Sequence, residues 1–449
     1  MRFAALAIAA LTTLLTPYPP AFAQTESSRL PDGAWSVSGY GTVFLSDRRE
    51  VRTYFVNTVG CIRGEAQSHG EFLGQVGELS PPAAPDRVVL RSGPSLYVLT
   101  RLKGLPPSCQ RPLRTRDPLV NFESFVSTFT QLYPGFESRG VDWKAAQSEA
   151  RSRISNGDDL FEVLSDLVAP LRDDHIRIDA GERSYAHFGA IALGAQPGGE
   201  RWTSAALAAS LRDYLMSDAS PLVSPPRVVA NRKAILGRLP GDIGYLAIVS
   251  LNNWAPLEED ASTSEQAQAA AREMQALLAE LVDVRGLVID LRINVGGHDA
   301  VALATASRFA DEETAVFSKD APGDETEAYV VQVTPSDGAR FTGPIAILVS
   351  PNTVSAAEVL ALALSALPNG FVLGQPTRGA FSDAVPRQLP NGWTYTLAAE
   401  TYRTLDGVEL EGKGLLPDQP TPSPESSVPA VLWGRDIGAA VNWINTAER

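Results

Sequence analysis

The sequence predicts an α/β protein with a layered core, preceded by a small β-rich domain and a helical segment. Residues 30–109 favour strands, and residues 120–171 repeat apolar side chains at helical spacing. From residue 234 onward strands and helices alternate, which is typical of a sheet covered by helices. At 449 residues, the chain is long enough for two or three domains of roughly 100–200 residues each.

The first 23 residues have the pattern of a cleavable export signal. Arg2 precedes an apolar run over residues 4–15, and Ala21-Phe22-Ala23 provides a small-x-small cleavage site before Gln24. The apolar run is shorter than the roughly 20 residues that a membrane helix needs, and no later segment reaches that length. We therefore expect a signal at residues 1–23, a mature chain from Gln24, and a protein that is periplasmic or secreted, with no membrane span.

The charge of the chain disfavours two classes of partner. The formal net charge at pH 7 is −14. An acidic protein repels the phosphates of nucleic acids and of anionic lipids. We therefore expect neither nucleic acid nor a membrane surface as a partner, and the composition leaves the oligomeric state open.

The two cysteines, Cys61 and Cys109, both lie in the N-terminal quarter of the chain. Export to an oxidising compartment favours a disulfide between them, and the alternative is two separate buried thiols. No group of cysteines and histidines has the spacing of zinc ligands. The sequence therefore predicts one disulfide and no metal site.

Residues 24–117 form the predicted β-rich domain. Four short runs have the alternating or β-branched character of strands: residues 35–40, 51–56, 87–90 and 96–99. Three prolines between residues 106 and 112 then interrupt the pattern. Because proline marks turns and loops, we expect a linker there.

Residues 118–180 form the predicted helical cap. Its clearest helix follows Asn156-Gly157-Asp158, after which apolar residues recur at intervals of three and four: Leu160, Phe161, Leu164, Leu167, Val168 and Leu171. This helix ends shortly before Asp174 and His175. Residues 181–233 give a weaker signal, with a short helix near residues 205–216, and are expected to connect the cap to the core.

Residues 234–430 form the predicted core, and residues 431–449 a C-terminal helix. The core pattern predicts three strands, at residues 243–248, 285–292 and 344–349. It also predicts two helices, at residues 264–281 and 355–367. Pro390-Asn391-Gly392 separates two further strand-like runs and predicts a hairpin.

Ser355 lies where a buried strand turns into a helix. The run at residues 345–349 is apolar, a polar turn follows, and Ser355 stands at the helix start, where unpaired backbone N–H groups converge. A carbonyl held beside Ser355 would accept a hydrogen bond from the amide of Ala356 as it becomes an oxyanion. The alternative is that Ser355 only caps the helix.

Paired glycines follow a second buried strand. The run at residues 286–292 leads into Gly296-Gly297, which let the backbone bend so that amides point towards a ligand. An ordinary turn is the alternative interpretation of this pair. A second donor from these glycines would strengthen the functional interpretation of Ser355.

Four motifs occur together in this sequence: DLRxNxGG at residues 290–297, TxSAAE at 353–358, LPNG at 389–392 and EGxGLxPD at 411–418. In order and spacing they resemble the tail-specific, or C-terminal processing, protease family. The resemblance extends over roughly residues 120–420. It implies a crotonase-like or ClpP-like β/α core with a helical N-terminal cap.

The resemblance implies roles for several residues. Ser355 matches the nucleophile of the family, and Gly297 and Ala356 match the residues whose amides form the oxyanion hole, with Gly296 beside them. The substrate would be a peptide or protein, and no cofactor is required. Many members use a lysine as the base, but Ala380 stands at that position here. Since alanine cannot accept a proton, another group must be the base or the protein is inactive.

Members that resemble the core of tricorn protease use a histidine from the end of the helical cap. Neighbouring polar groups orient it, together with a glutamate just before a Gly-x-x-Pro-Asp segment. The matching positions in this sequence are His175, Asp174 and Glu411. An imidazole suits the task because its ordinary pKa lies near neutrality. The resemblance therefore implies His175 as the base, with Asp174 and Glu411 as its partners.

Alternatives stay open at the site. His298 directly follows the oxyanion glycine and is a rival base, or else a solvent-facing residue at a helix start. Lys413 is a weaker candidate, since the family motif leaves its position variable. Glu411 has a structural alternative, in which it pairs with a cation to hold its loop. Glu358 is expected to be structural, near the positive end of the helix dipole.

Two other functions are compatible with the sequence. One is a catalytically silent ligand-binding protein that resembles the interphotoreceptor retinoid-binding modules. The other is an esterase or amidase with the same acyl chemistry, although the chain lacks the Gly-x-Ser-x-Gly elbow of α/β-hydrolases. Many family members also carry a PDZ domain, but the stretch between His175 and Ile243 is too short for one, so we expect a standard PDZ domain to be absent.

Overall fold

The computed structural model describes residues 29–80, 85–187, 203–258, 261–321, 328–422 and 429–447. The predicted signal at residues 1–23 lies outside these ranges, as do residues 188–202 of the connecting segment. Within the described ranges, no helix combines the length and the apolar character needed to cross a membrane.

The N-terminal part of the chain is a seven-stranded sheet in which every neighbouring pair is antiparallel, with strand order β4-β3-β2-β1-β7-β6-β5. Its elements are β1 (Gly33–Val37), β2 (Thr42–Ser46), β3 (Glu50–Val56), β4 (Cys61–Ser68), α1 (His69–Val76), β5 (Glu78–Leu79), β6 (Arg87–Ser92), β7 (Ser95–Leu102) and α2 (Pro107–Gln110). Helix α1 covers one face, where Phe72 packs edge-on against Phe44 with ring centroids 4.8 Å apart. We call this unit the β domain.

The predicted disulfide is confirmed. Cys61 at the start of β4 is bonded to Cys109 in α2, with Cα atoms 5.0 Å apart. Both residues are buried, against Val43 and Tyr54. The bond therefore holds the linker helix against the sheet of the β domain.

Three helices form the cap: α3 (Pro118–Leu132), α4 (Trp143–Ser155) and α5 (Leu160–Val168), followed by a 3-10 turn at Ala169–Leu171. Each helix begins after an aspartate, Asp117, Asp142 or Asp159, whose carboxylate accepts hydrogen bonds from backbone N–H groups of the first turn. The chain then forms the short strands β8 (Arg177–Asp179) and β9 (Ser184–Ala186). The aspartates thus set where each cap helix starts.

The remaining elements follow in chain order: α6 (Ser204–Leu215), β10 (Arg227–Val229), β11 (Ala234–Leu239), β12 (Ile243–Ile248), α7 (Thr263–Glu280), β13 (Gly286–Asp290), α8 (Asp299–Ala306), β14 (Thr314–Asp320), β15 (Tyr329–Val333), β16 (Ile345–Val349), α9 (Ala356–Ser365), β17 (Gly370–Gly374), β18 (Ala384–Gln388), β19 (Thr394–Ala398), β20 (Thr401–Arg403), β21 (Gln419–Pro420) and α10 (Pro429–Ala447).

A seven-stranded mixed sheet is the centre of the core, in the order β10-β11-β12-β13-β16-β17-β21. The strands from β12 to β21 are parallel, and β10 and β11 are antiparallel additions at one edge. In β16, Ile345 and Ile347 pack with α7, α8 and α9, whereas Ala346 and Leu348 pack with α6 and α10. Helices cover both faces, so the predicted α/β fold is confirmed.

A four-stranded sheet in the order β18-β19-β8-β9 joins the cap to the core. Strand β8 comes from the cap and pairs antiparallel with β19, so that Arg177 is opposite Thr396 and Ile178 opposite Tyr395. Cap helix α3 packs on this sheet through Phe125 and Phe129, whose rings contact Tyr395. The pairing fixes the end of the cap, including His175, against the core.

Candidate active site

Ser355 adopts a backbone conformation that residues other than glycine rarely adopt. It caps α9 with φ 58° and ψ −130°. Such a conformation persists only where the surroundings hold it in place. Here the preceding turn is tied to the loop after β13, since Thr353 Oγ1 donates to Leu291 O at 2.9 Å and Val354 N donates to Asn294 O at 3.0 Å. The turn therefore presents the half-buried Ser355 against this loop.

The paired glycines come directly against Ser355. A Cβ atom on Gly296 would lie 2.8 Å from the Cβ of Ser355, and one on Gly297 would lie 2.6 Å from Leu251 O, so neither position has room for a side chain. The loop is fixed by hydrogen bonds from Leu251 N to Gly296 O at 2.9 Å and from His298 N to Leu251 O at 3.2 Å. We call residues 296–298 the oxyanion loop, after their predicted role.

Two backbone N–H groups beside Ser355 remain available. Among the described residues, the amides of Gly297 and Ala356 donate to no protein acceptor. The amide of Gly296, by contrast, donates to Asn294 Oδ1 at 2.9 Å. Gly297 and Ala356 can therefore supply the predicted donors to an oxyanion, while Gly296 supplies the close approach.

Glu358 lies one turn into α9, and its buried carboxylate organises the segment after β17. It accepts hydrogen bonds from Ser355 N at 3.1 Å, Thr377 Oγ1 at 2.6 Å, Gly379 N at 2.7 Å and Ala380 N at 2.9 Å. Burial raises the pKa of Glu358 to about 7, against the opposing effect of these donors. Its contacts match the predicted structural role, and Ala380 is held here by its backbone.

His175 lies between the 3-10 turn of the cap and β8. Its backbone N–H donates to Asp173 Oδ1 at 2.8 Å, and its carbonyl accepts from Thr396 Oγ1 at 2.6 Å. The ring is 12% exposed, and its Nδ1 lies 4.0 Å from Asp173 Oδ1. Burial lowers the pKa of His175, despite the opposing charge of Asp173. The neutral imidazole, which can accept a proton, is therefore favoured near neutral pH.

The carboxylate that pairs with Arg139 near His175 is that of Asp173, one residue before the predicted Asp174. Tyr133 OH donates to Asp173 Oδ2 at 2.9 Å, and Arg139 Nη2 lies 3.4 Å from the same oxygen. Asp174 forms an ion pair with Arg378, whose Nε lies 3.5 Å from its Oδ2. The orienting role of Asp174 stays a prediction.

Glu411 lies in the same buried cluster as His175. Its carboxylate accepts from Phe381 N at 2.9 Å, Ser382 N at 3.1 Å and Arg139 Nη2 at 3.1 Å. Burial and the nearby charge of Asp173 raise the pKa of Glu411 to about 8. Potential ligand atoms of Asp173, His175 and Glu411 lie within 4.8 Å of one another. The guanidinium of Arg139 already pairs with both of these acidic side chains, which makes this arrangement a poor site for a metal cation.

One continuous segment joins these two groups. In residues 377–382, the first part donates to Glu358 at the start of α9, and Phe381 and Ser382 donate to Glu411 beside His175. We call residues 377–382 the bridging loop. This loop links the helix that Ser355 caps to the cluster that contains His175. All of its hydrogen bonds to Glu411 come from backbone N–H groups.

The rival bases have different surroundings. His298 caps α8, and partial burial lowers its pKa. Lys413 is exposed, and its backbone N–H donates to Leu410 O at 3.0 Å. Among the described residues, His298 is not part of the group formed by Asp173, His175 and Glu411.

Sequence reasoning missed Tyr133, Arg139 and Asp173. Tyr133 and Arg139 lie in the loop between α3 and α4, about 40 positions before His175, and no local pattern connects them to it. Asp173 had a weak signal, because an aspartate side chain often accepts a hydrogen bond from the backbone N–H two residues later, which here belongs to His175. Its adjacency to Asp174 hid that signal.

The sequence model of peptidase family S41 matches residues 242–421. A chloroplastic carboxyl-terminal-processing peptidase 2 of Arabidopsis thaliana is 28% identical over 199 residues, which cover 42% of this chain and 35% of that protein. A CtpA-like serine protease of Staphylococcus haemolyticus is 31% identical over 142 residues, which cover 32% of this chain and 28% of that protein. The matched region thus spans about a third of the length of these curated relatives.

A crystal structure of a candidate peptidase from Parabacteroides merdae has a similar fold. It superposes with a TM-score of 0.57 at 20% sequence identity, and the match covers 74% of this chain and 97% of that chain. At this identity the likeness establishes the fold alone. The sequence matches confirm the resemblance to tail-specific proteases over residues 242–421, the region that the model of peptidase family S41 matches.

Proposed function

We propose that this protein is a serine peptidase in which Ser355 is the nucleophile and His175 the general base. The observation that carries the proposal is the bridging loop, which binds Glu358 beneath Ser355 on one side and Glu411 beside His175 on the other. Ala380 lies within this loop where many relatives have a lysine, so another group must be the base, and we assign that role to His175 of the cap.

In the proposed reaction, the Ser355 hydroxyl oxygen bonds to the carbonyl carbon of the scissile peptide while His175 takes the hydroxyl proton. The amides of Gly297 and Ala356 donate to the oxygen that gains negative charge. His175 returns its proton to the leaving amine as the C–N bond breaks, and an acyl-enzyme remains. Water then attacks the ester with His175 again as base, which releases the acid and restores the Ser355 hydroxyl.

The acidic cluster stabilises the charged form of His175 in this scheme. When the ring gains a proton, Asp173 and Glu411 lie close enough to favour the imidazolium. That positive charge in turn favours ionisation of Glu411, which offsets the effect of burial on its pKa. Asp174 acts less directly, through its ion pair with Arg378, whose backbone N–H donates to Thr353 O near the nucleophile.

The proposed substrate is a peptide or protein that the enzyme meets after export. The predicted signal and the Cys61–Cys109 disulfide support an oxidising compartment outside the cytoplasm. The names of the curated relatives refer to carboxyl-terminal processing, and we propose cleavage near a substrate C-terminus here as well. The fold would be crotonase-like, without a standard PDZ domain, and the acidic charge disfavours nucleic acid.

A fluorophosphonate probe tests the nucleophile directly. We expect the purified full chain to be labelled at Ser355, the Ser355→Ala variant not to be labelled, and the His175→Ala variant to react at least about 100-fold more slowly. Absence of Ser355-dependent labelling in folded protein would overturn the proposal in favour of a silent binding protein. Turnover of simple esters without cleavage of any member of a peptide library would favour the esterase alternative.

A further inference from the structure

The hairpin formed by β6 and β7 of the β domain contacts the helix that follows the oxyanion loop. Gly93 in its turn has φ +57°, and a Cβ atom there would lie 2.7 Å from the backbone nitrogen of Ala300. Ala300 is the second residue of α8, which begins directly after His298. We propose that this hairpin is a positioning element that holds the oxyanion loop in its working geometry; its catalytic consequence rests on the proposed peptidase function.

A buried ammonium group connects the hairpin to the same helix. Lys319 on β14 is 1% exposed, and its three N–H bonds are all used: they donate to Ser95 Oγ at 2.7 Å, Tyr402 OH at 2.8 Å and Glu400 Oε2 at 3.1 Å. Of these partners, only Ser95 comes from the β domain. A buried charge is tolerated only when it is paired and hydrogen-bonded, so Ser95 completes a shell that the core cannot complete by itself.

Tyr402 extends this connection to the start of α8. Its hydroxyl accepts from Lys319 and donates to Asp299 Oδ2 at 2.8 Å, and Asp299 is the first residue of the helix. Ser95 also donates to Asp383 Oδ2 at 3.0 Å, next to the bridging loop. The hairpin therefore contacts α8 directly at Ala300 and indirectly at Asp299.

Core residues also fix the hairpin itself. Tyr329 OH donates to Pro94 O at 2.9 Å and accepts from Leu96 N at 3.1 Å, so that both sides of Ser95 are held. In the turn between β1 and β2, Tyr40 OH donates to Glu400 Oε1 at 2.6 Å. These contacts make the hairpin a fixed support for α8 within the described structure.

Such a support matters because the amide of Gly297 must meet an oxyanion at hydrogen-bonding distance. A misplacement of about 1 Å in a catalytic group can cost on the order of 100-fold in rate. Gly297 lies two residues before Asp299, and His298 between them caps α8. A shift of the helix start would therefore move the oxyanion loop without touching Ser355 or His175.

Gly93→Ala tests the direct contact, with Gly181→Ala as its control. Both glycines have positive φ, +57° and +85°, but a Cβ atom on Gly181 would meet nothing within 4 Å. We expect Gly93→Ala to lower kcat by up to about 100-fold with KM unchanged. It should also speed hydrogen exchange of the amides in residues 296–302, measured by mass spectrometry. Gly181→Ala should change neither quantity.

Ser95→Ala tests the buried connection, and we expect it to lower kcat and to speed the same hydrogen exchange. Ser95→Thr keeps the hydroxyl and should retain the wild-type kcat and exchange rates. If Gly93→Ala and Ser95→Ala leave kcat and the exchange of residues 296–302 as they are in Gly181→Ala, the β domain is only an anchored neighbour and the inference is wrong. If the wild-type protein shows no Ser355-dependent turnover, the proposed function fails, while the exchange measurement still decides whether the hairpin holds the loop.

Discussion

Ser355 caps α9, and Glu358 lies in the first turn of the same helix. The carboxylate of Glu358 accepts a hydrogen bond from the backbone N–H of Ser355 at 3.1 Å. The same carboxylate accepts from Thr377, Gly379 and Ala380 of the bridging loop. A single buried acid therefore holds the unusual backbone of the proposed nucleophile and also the loop that leads to the proposed base. Its loss should affect both.

We expect Glu358→Gln to lower the free energy of unfolding by about 1–3 kcal/mol, because the amide can turn only one acceptor towards four donors and its NH₂ group would face the others. Urea denaturation measures this change. Glu149→Gln, on the exposed face of α4, is the matched control and should leave the midpoint unchanged. Equal midpoints for the two variants would show that Glu358 has no structural role.

Arg139 joins its own loop to two other segments, residues 171–173 and Glu411, that come together only in the folded protein. Its guanidinium donates to the carbonyls of Leu171 and Arg172 at 3.0 and 3.1 Å, and contacts Glu411 and Asp173 at 3.1 and 3.4 Å. We expect Arg139→Met to lower the free energy of unfolding by about 3–5 kcal/mol, since it removes the cation that is paired with the buried side chains of Asp173 and Glu411. Urea denaturation checks the size of the loss.

A second substitution separates charge from packing at Arg139. In the double variant Arg139→Met with Glu411→Gln, the buried side chain at position 411 no longer has to take up a proton or stay charged without a partner, so we expect part of the lost stability to return. Arg153→Met is the control, because Arg153 also pairs with two carboxylates but lies at the surface, where such pairs contribute little. Equal instability of the single and double Arg139 variants would contradict the charge argument.

The pH dependence of kcat/KM should report the burial of His175. Because burial lowers its pKa below the ordinary value of 6.5, the neutral ring persists to lower pH than in a free histidine. As the base must be neutral, we expect activity to be retained at pH 6.5 and to fall as the pH drops further through the lowered pKa. Stability should change in the same direction, since below 6.5 the unfolded chain binds a proton that the folded ring resists.

The rival base gives the comparison for that profile. His298→Ala should leave the position of the acid limb unchanged, whereas His175→Ala should abolish the limb together with most of the activity. Both imidazoles have a lowered pKa, so the profile of the wild-type protein alone does not assign the limb. An acid limb that disappears in His298→Ala would transfer the role of base to His298.

Local sequence patterns predicted the elements that lie near one another in the chain. The strand, turn and helix around Ser355 follow from an apolar run, a polar turn and an alanine-rich helix, and all three are observed at residues 345–365. The disulfide followed from two cysteines and an export signal. Such features depend on local propensity and composition, which a sequence displays directly.

Contacts between distant segments were harder to predict. The family resemblance supplied His175 and Glu411, but the contacts of Arg139 with Glu411 and of Tyr133 with Asp173 arise only from tertiary packing. Likewise, nothing local marks Gly93 as a neighbour of Ala300, more than 200 positions later. Choosing between Asp173 and Asp174 required the backbone geometry of the turn, because adjacent aspartates are chemically identical.

Gly296→Ala should remove activity while the protein stays folded. The added Cβ atom would lie 2.8 Å from both Ser355 Cβ and Val354 O, at a φ of +99° that alanine rarely adopts. The oxyanion loop must therefore move away from the nucleophile, and we expect kcat to fall by about 100-fold or more. Gly157→Ala is the control, since Gly157 has a φ of +92° and a Cβ atom there would meet nothing within 4 Å. Because alanine is strained at these φ angles, both variants should lose some stability, as measured by thermal unfolding. Only Gly296→Ala should lose turnover per folded molecule. Equal turnover in the two variants would mean that the close approach of Gly296 to Ser355 is dispensable for catalysis.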